Sequence, residues 1–258
     1  MKKLADEDLE ILKNIESLTN LRFKKVDKIE AASKLEFTTE NGRVTKISTN
    51  NCGLSTFPES ICNLKLIQNL YWAVSPISTL PASIGNLKSL KLLYLFWNEL
   101  VTLPESIGNL SSLIVLTLAH NKLENLPEAI GNLTSLQTLD LMSNELKTLP
   151  EAIGNLTSLQ SLGLSSNKLT TLPEAITELK TLQQLNLGYN RFTTLPESIG
   201  NLSSLKKLIL NGNQLRSLPE SIRKLTSLEE LSISGNPLDS STKAVLKQLK
   251  KKKIKINK

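Results

Sequence analysis

Apolar residues recur along most of this chain in one fixed order. From Leu136 the sequence LQTLDLMSNELKTLP, followed by EAIGNLTS, reduces to L-x-x-L-x-L-x-x-N-x-L-x-x-L-P-x-x-I-x-x-L. The same skeleton returns 23 residues earlier at Leu113 and 23 residues later at Leu159. Within each unit the L-x-L step has period two and predicts a short strand with both leucines facing one side. The proline fixes φ and suits the first turn of a short helical segment, whose I-x-x-L places two apolar side chains on one face. One unit cannot bury that face alone, so units must stack into a continuous core. Successive strands then lie parallel, about 4.8 Å apart, opposite the wider helical segments. The stack must therefore curve, with the sheet inside.

In register, the first unit uses Val44, Ile47, Thr49, Cys52, Leu54, Phe57 and Pro58, and the second uses Ile67, Leu70, Trp72, Ser75, Ile77, Leu80 and Pro81. Six more end at Pro104, Pro127, Pro150, Pro173, Pro196 and Pro219, and a ninth stops at Pro237-Leu238. Asn98, Asn121, Asn144, Asn167, Asn190, Asn213 and Asn236 sit where the chain turns after its strand, and each amide carries both donor and acceptor for buried turn groups. Ser75-Pro76 breaks that pattern and predicts an irregularity in the second unit.

Both ends depart from the repeat. Leu4, Ile11, Ile15 and Leu18 share one helical face behind an acidic start at Asp6, Glu7 and Asp8. A second short helix is expected through Val26 and Ile29. KLEFTTENGRVTKIST alternates around Asn41-Gly42, a strong hairpin signal. The expected division is an N-terminal cap over residues 1–42, repeats over 43–238 and a C-terminal cap over 239–258. In that last segment a helix is expected from about Thr242 to Leu249, then a strand through Ile254 and Ile256, in phase with Leu231 and Ile233.

The 23-residue LPxxIGNL pattern is the signature of a leucine-rich repeat. It resembles the form found in intracellular Ras-group scaffolds and in small microbial leucine-rich-repeat proteins. The resemblance implies an α/β solenoid, a curved horseshoe arc with a parallel β-sheet on its concave face and short helical or 3-10 segments on its convex face. It also implies a binding scaffold and not an enzyme.

Charge changes the picture only at one end. The chain is formally +7, but the stretch from Ser240 onward holds eight lysines and no acid, which leaves residues 1–239 at about −1. KQLKKKKIKINK reads as a guard on an exposed sheet edge. An import or nucleic-acid patch and an anionic-membrane contact are the alternatives. The chain carries no secretory leader pattern, no apolar run of membrane-spanning length and only two cysteines, so a cytoplasmic protein with reduced thiols is expected. One histidine, three strands from Cys52, and the lack of any metal-ligand or phosphate-loop motif leave no catalytic residue and no cofactor to name.

What remains is the outward face of the strands. Of ten aromatic residues, five lie between Tyr71 and Trp97. Trp72 takes an inward position and is expected in the core, and the other four point out. Aromatic side chains dominate interface energetics, and an exposed apolar patch marks a contact surface. The expected partner-binding set is Tyr71, Leu92, Tyr94, Phe96, Trp97, Val115, His120, Met142 and Tyr189. The alternatives are that the N-terminal cap folds over this strip, or that the register there is off by one. The expected partner is a protein, with nucleic acid and membrane disfavoured, and the array is expected to act as a monomer.

Overall fold

The computed structural model describes residues 3–29 and 34–257. Its sheet is open and follows chain order from first strand to last. The N-terminal strands are β1 (Lys24–Lys25), β2 (Leu35–Glu40) and β3 (Arg43–Thr49). Three-residue strands follow: β4 (Asn69–Tyr71), β5 (Leu92–Tyr94), β6 (Val115–Thr117), β7 (Thr138–Asp140), β8 (Ser161–Gly163), β9 (Gln184–Asn186), β10 (Lys207–Ile209), β11 (Glu230–Ser232) and β12 (Lys255–Asn257). From β3 onward every neighbour is parallel, and Leu139 lies directly opposite Leu162. A 3-10 segment follows each proline from Pro58 to Pro219 except Pro76, and the inward leucines and isoleucines form one continuous core.

The glycine of IGNL has a packing reason. A Cβ on Gly131 would stand 2.4 Å from the carbonyl oxygen of Ala152 in the next 3-10 segment, and the other IGNL glycines meet the same obstacle. Glycine thus lets the convex backbones approach closely. The asparagines do what their spacing predicts. The amide nitrogen of Asn144 donates to the carbonyls of Leu118 at 2.9 Å and Leu141 at 3.0 Å, while its oxygen accepts the Leu123 N–H at 3.0 Å. Each amide therefore fastens its own turn to the previous repeat.

The irregularity at Ser75-Pro76 takes a definite form. Asn98 still donates to Trp72 and Leu95, but its buried oxygen finds no donor. The position that supplies the donor in later repeats is Ile77, immediately after Pro76. Trp72 Nε1 and Ser75 Oγ are buried without partners beside the same turn. Trp72 itself is fully buried against Phe57, with ring centroids 4.7 Å apart.

At the N-terminus, helix α1 (Asp6–Thr19) buries Ile11, Leu12 and Ile15, whereas Leu18 is exposed and falls off the expected face. Asp8 is more than a first-turn acid. It is buried, pairs with Arg43 through Nη2 at 2.8 Å and Nε at 3.1 Å, and accepts the Val44 N–H at 2.7 Å. This latch ties α1 to the start of the sheet. The turn at Asn41-Gly42 has φ of 53° and 82°, as a two-residue hairpin between antiparallel β2 and β3 requires. The second helix expected through Val26 and Ile29 is absent over the described residues 24–29. Lys24 and Lys25 instead pair parallel to β2, and Val26 extends the ladder by donating to Phe37 at 3.0 Å. Residues 30–33 lie outside the described part of the chain.

At the other end, helix α2 (Thr242–Lys251) packs Val245, Leu246 and Leu249 onto the last repeat. Lys253, at φ 63°, reverses the chain, and the Ile254 N–H returns to Leu249 in a Schellman closure. Ile256 then pairs opposite Leu231 in β12, as the phase of the sequence predicts. No helix among the described residues is long and apolar enough to cross a membrane.

Candidate functional site

Four rows of side chains cross the strands at right angles. The first runs through Leu92 and Val115, the second through Tyr71, Tyr94 and Asp140, and the third through Phe96 and Met142. The fourth belongs to the residue just before each ladder position, which Cys52 and Ser75 hold in the first two repeats and asparagines from Asn98 on. Register places Tyr71 opposite Tyr94 on adjacent strands, and their rings stack at 4.8 Å with planes 6° apart. Asn69 donates to the Tyr71 hydroxyl at 3.3 Å, which fixes that ring further. Burial, and after it the neighbouring Tyr71, pushes the Tyr94 phenol up, so it stays protonated at neutral pH.

The fourth row is a backbone feature. Asn51, Val74, Trp97, His120, Ser143, Ser166, Tyr189, Gly212 and Gly235 all have positive φ, the non-glycine members at 53–57° and the glycines at 64° and 67°. Left-handed backbone costs a non-glycine residue about 1–2 kcal/mol, and a β-branched one such as Val74 is an outlier there. Two side chains in this row lean over their neighbours. Trp97 stacks face to face on His120 at 3.9 Å and 6°, and the Tyr189 ring occupies the space a Cβ on Gly212 would need, at 2.6 Å.

The expected residues separate accordingly. Tyr71, Leu92, Tyr94, Phe96, Val115, His120 and Met142 are half-buried on the sheet face, and Trp97 is 57% exposed at its rim. Tyr189 is 66% exposed but belongs to β9's repeat, four strands beyond Trp97, so it does not join the strip. Val74, 47% exposed, extends the rim on the other side of Trp97. Its place was signalled by Gly212, Gly235 and Asn51 at the same register, residue types that favour left-handed backbone. Six outward positions in the eight full repeats prove buried: Ser48, Asn50, Ala73, Ala119, Ser165 and Gly188. β3 is flanked on both sides, and Asn50 accepts the Ala73 N–H at 2.8 Å, so the first three sit beneath their neighbours. The polar contacts of α1 include those to Lys3, Arg22, Phe23, Arg43, Val44 and Ser60.

Burial pushes the Cys52 thiol up to about 11, against a weaker pull from Lys34, and Cys62 is also raised, chiefly by burial. Among the described residues no three His, Cys, Asp or Glu side chains cluster as metal ligands would. Beside the sheet, Lys122 pairs with Glu99 at 3.1 Å and Lys168 with Glu145 at 2.8 Å, so charges along that flank neutralise one another between repeats.

A leucine-rich repeat region profile matches residues 151–254, and a leucine rich repeat profile matches residues 98–146. None of the curated proteins matches the chain in sequence. Among solved structures, a leucine-rich-repeat protein of Leptospira interrogans superposes with a TM-score of 0.67 at 30% identity, over 95% of this chain and 68% of its own. The PEPR1–AtPEP1 complex gives 0.68 at 36%, over 78% of this chain and 31% of the other. The ectodomain of the plant membrane receptor kinase GASSHO1/SCHENGEN3 from Arabidopsis thaliana, in complex with CASPARIAN STRIP INTEGRITY FACTOR 2, gives 0.61 at 29%, over 82% and 30%. The chain thus spans about a third of each of these last two structures.

Proposed function

Because the chain belongs to the leucine-rich-repeat family, we propose that it is a non-catalytic scaffold that binds a partner protein on its concave face. The anchor is the strip formed by Tyr71, Tyr94, Phe96 and Trp97, with Val115 and Met142 beside it. One observation carries this reading: rings already stacked in pairs, half-buried or exposed, on a rigid sheet. A pre-stacked ring loses little conformational freedom on binding, and large aromatic anchors supply most interface energy. Two similar structures support it, both of complexes: PEPR1–AtPEP1, and the GASSHO1/SCHENGEN3 ectodomain with CASPARIAN STRIP INTEGRITY FACTOR 2. The lysines of the C-terminal cap point to a structural role, because Leu249, Ile254 and Ile256 of the same segment close the last core layer.

The test replaces Tyr94, Phe96 and Trp97 with Ala together. The variant keeps its circular dichroism and its melting profile, because none of the three fills the core between sheet and 3-10 segments. It loses the partner that the wild-type chain retains from a lysate of its native cell. Retention of that partner at wild-type strength would sink the proposal.

A further inference from the structure

East of the aromatic strip, three strands on, the concave face drops into a depression of about 260 Å³. Its floor is bare backbone, because β8 presents only Ser161 and Gly163 outward. Asp140 on β7 and Asn186 on β9 wall it, and Lys207 and Ile209 on β10 close its far side. Both short walls are held still. Asp140 Oδ1 accepts the Met142 N–H at 3.0 Å, and Asn186 Oδ1 accepts the Gly188 N–H at 3.1 Å. Gly163 is what opens the space, for a Cβ there would stand 2.8 Å from Asp140 Oδ1.

The electrostatics of the depression are one-sided. Asp140 has no ion pair among the described residues, and its second carboxylate oxygen is uncommitted. Lys207 does not cancel it, because Glu230 holds that ammonium at 3.2 Å. A lone carboxylate beside a polar, side-chain-sized hollow is complementary to a cation that can also donate hydrogen bonds.

We propose that this hollow takes the lysine or arginine side chain of an extended peptide segment whose apolar anchor lies on the Tyr94–Trp97 strip. The inference rests on the concave face being the partner surface and adds a second, chemically distinct contact to it. The spacing follows from the sheet. From β5 to β8 is three steps of about 4.8 Å, roughly 14 Å, and an extended chain advances about 3.3 Å per residue. The basic residue therefore falls about four positions from the anchor, and residues four apart in an extended chain project to the same side.

A displayed library of random twelve-residue peptides, panned on the full chain, tests this. Wild type enriches peptides with an aromatic or large aliphatic residue and a Lys or Arg about four positions away. Asp140→Asn keeps the acceptor for Met142 and hence the fold, but loses the basic preference while retaining the apolar one. It binds a wild-type-selected peptide roughly ten- to a hundredfold more weakly, the range for a lost charged hydrogen bond. Glu99→Gln, on the flank, leaves the selection unchanged. The hollow is refuted if Asp140→Asn selects the same basic peptides, if Glu99→Gln erases the preference equally, or if acidic peptides are enriched. The Tyr94, Phe96 and Trp97 triple-Ala variant separates the two readings: loss of only the apolar preference there upholds the strip independently of the hollow. No enrichment on wild type overturns both.

Discussion

Replacing Asn144 with Ala tests the asparagine ladder where its geometry makes a differential claim. The carbonyls of Leu118 and Leu141 each accept from two ladder amides, Asn121 and Asn144 for the first, Asn144 and Asn167 for the second. Each keeps one donor after the substitution, so their combined loss is about 1–2 kcal/mol. The Leu123 N–H has Asn144 Oδ1 as its partner and becomes a buried orphan, which adds about 1–3 kcal/mol. The total is roughly 3 kcal/mol. Asn98→Ala leaves the Trp72 carbonyl without its amide donor but also removes the unpaired Asn98 oxygen, two effects that offset one another, and it orphans no N–H. It should cost about 1–2 kcal/mol less. Urea unfolding of the two variants reads the difference, and amide exchange at Leu123 reads its origin. Equal destabilisation by the two variants, or an unaltered Leu123 amide in Asn144→Ala, would refute the reasoning.

Asp8→Ala strips the Arg43 guanidinium and the Val44 N–H of a buried partner and should cost about 3–5 kcal/mol, seen as early exchange of β2 and β3 amides. Gly131→Ala puts a methyl 2.4 Å from the Ala152 oxygen and should destabilise by about 1–3 kcal/mol in thermal melts, whereas Ala at exposed Lys88 is neutral. Cys52, raised from 9.0 to about 11, should alkylate at pH 8 about a hundredfold more slowly than an unshifted thiol and accelerate as pH climbs toward 11. The sign is that of a neutral form favoured by folding: its contribution to stability is intact below pH 9.0 and lost as pH rises through about 11.

The repeat was legible because period and packing share one cause. A leucine misplaced by one residue would leave the core, so the inward register from Val44 to Ile256 follows from the sequence alone. Trp72 was legible for the same reason. The departures arise where a long-range partner overrides local pattern. Val26 is extended because Phe37 offers a carbonyl, and Asp8 is buried because Arg43, thirty-five residues on, reaches it. The outward rows were legible as positions but not as a surface. Nothing in spacing says that Trp97 and His120 stack, that Ser48 and Ala73 lie beneath their neighbours, or that Gly163 opens a hollow against Asp140.

The left-handed row has a consequence for how such a molecule changes. Trp, His, Ser, Tyr and Gly all occupy the same station in successive repeats, each ahead of a fastened asparagine and with φ near one value, and Val74 keeps that value ahead of Ser75. Folding therefore admits side chains of very different size there, each at the cost of a left-handed backbone. The row works like a typesetter's line, with slots cast once and letters exchanged within them, so recognition can be rewritten without recasting the metal.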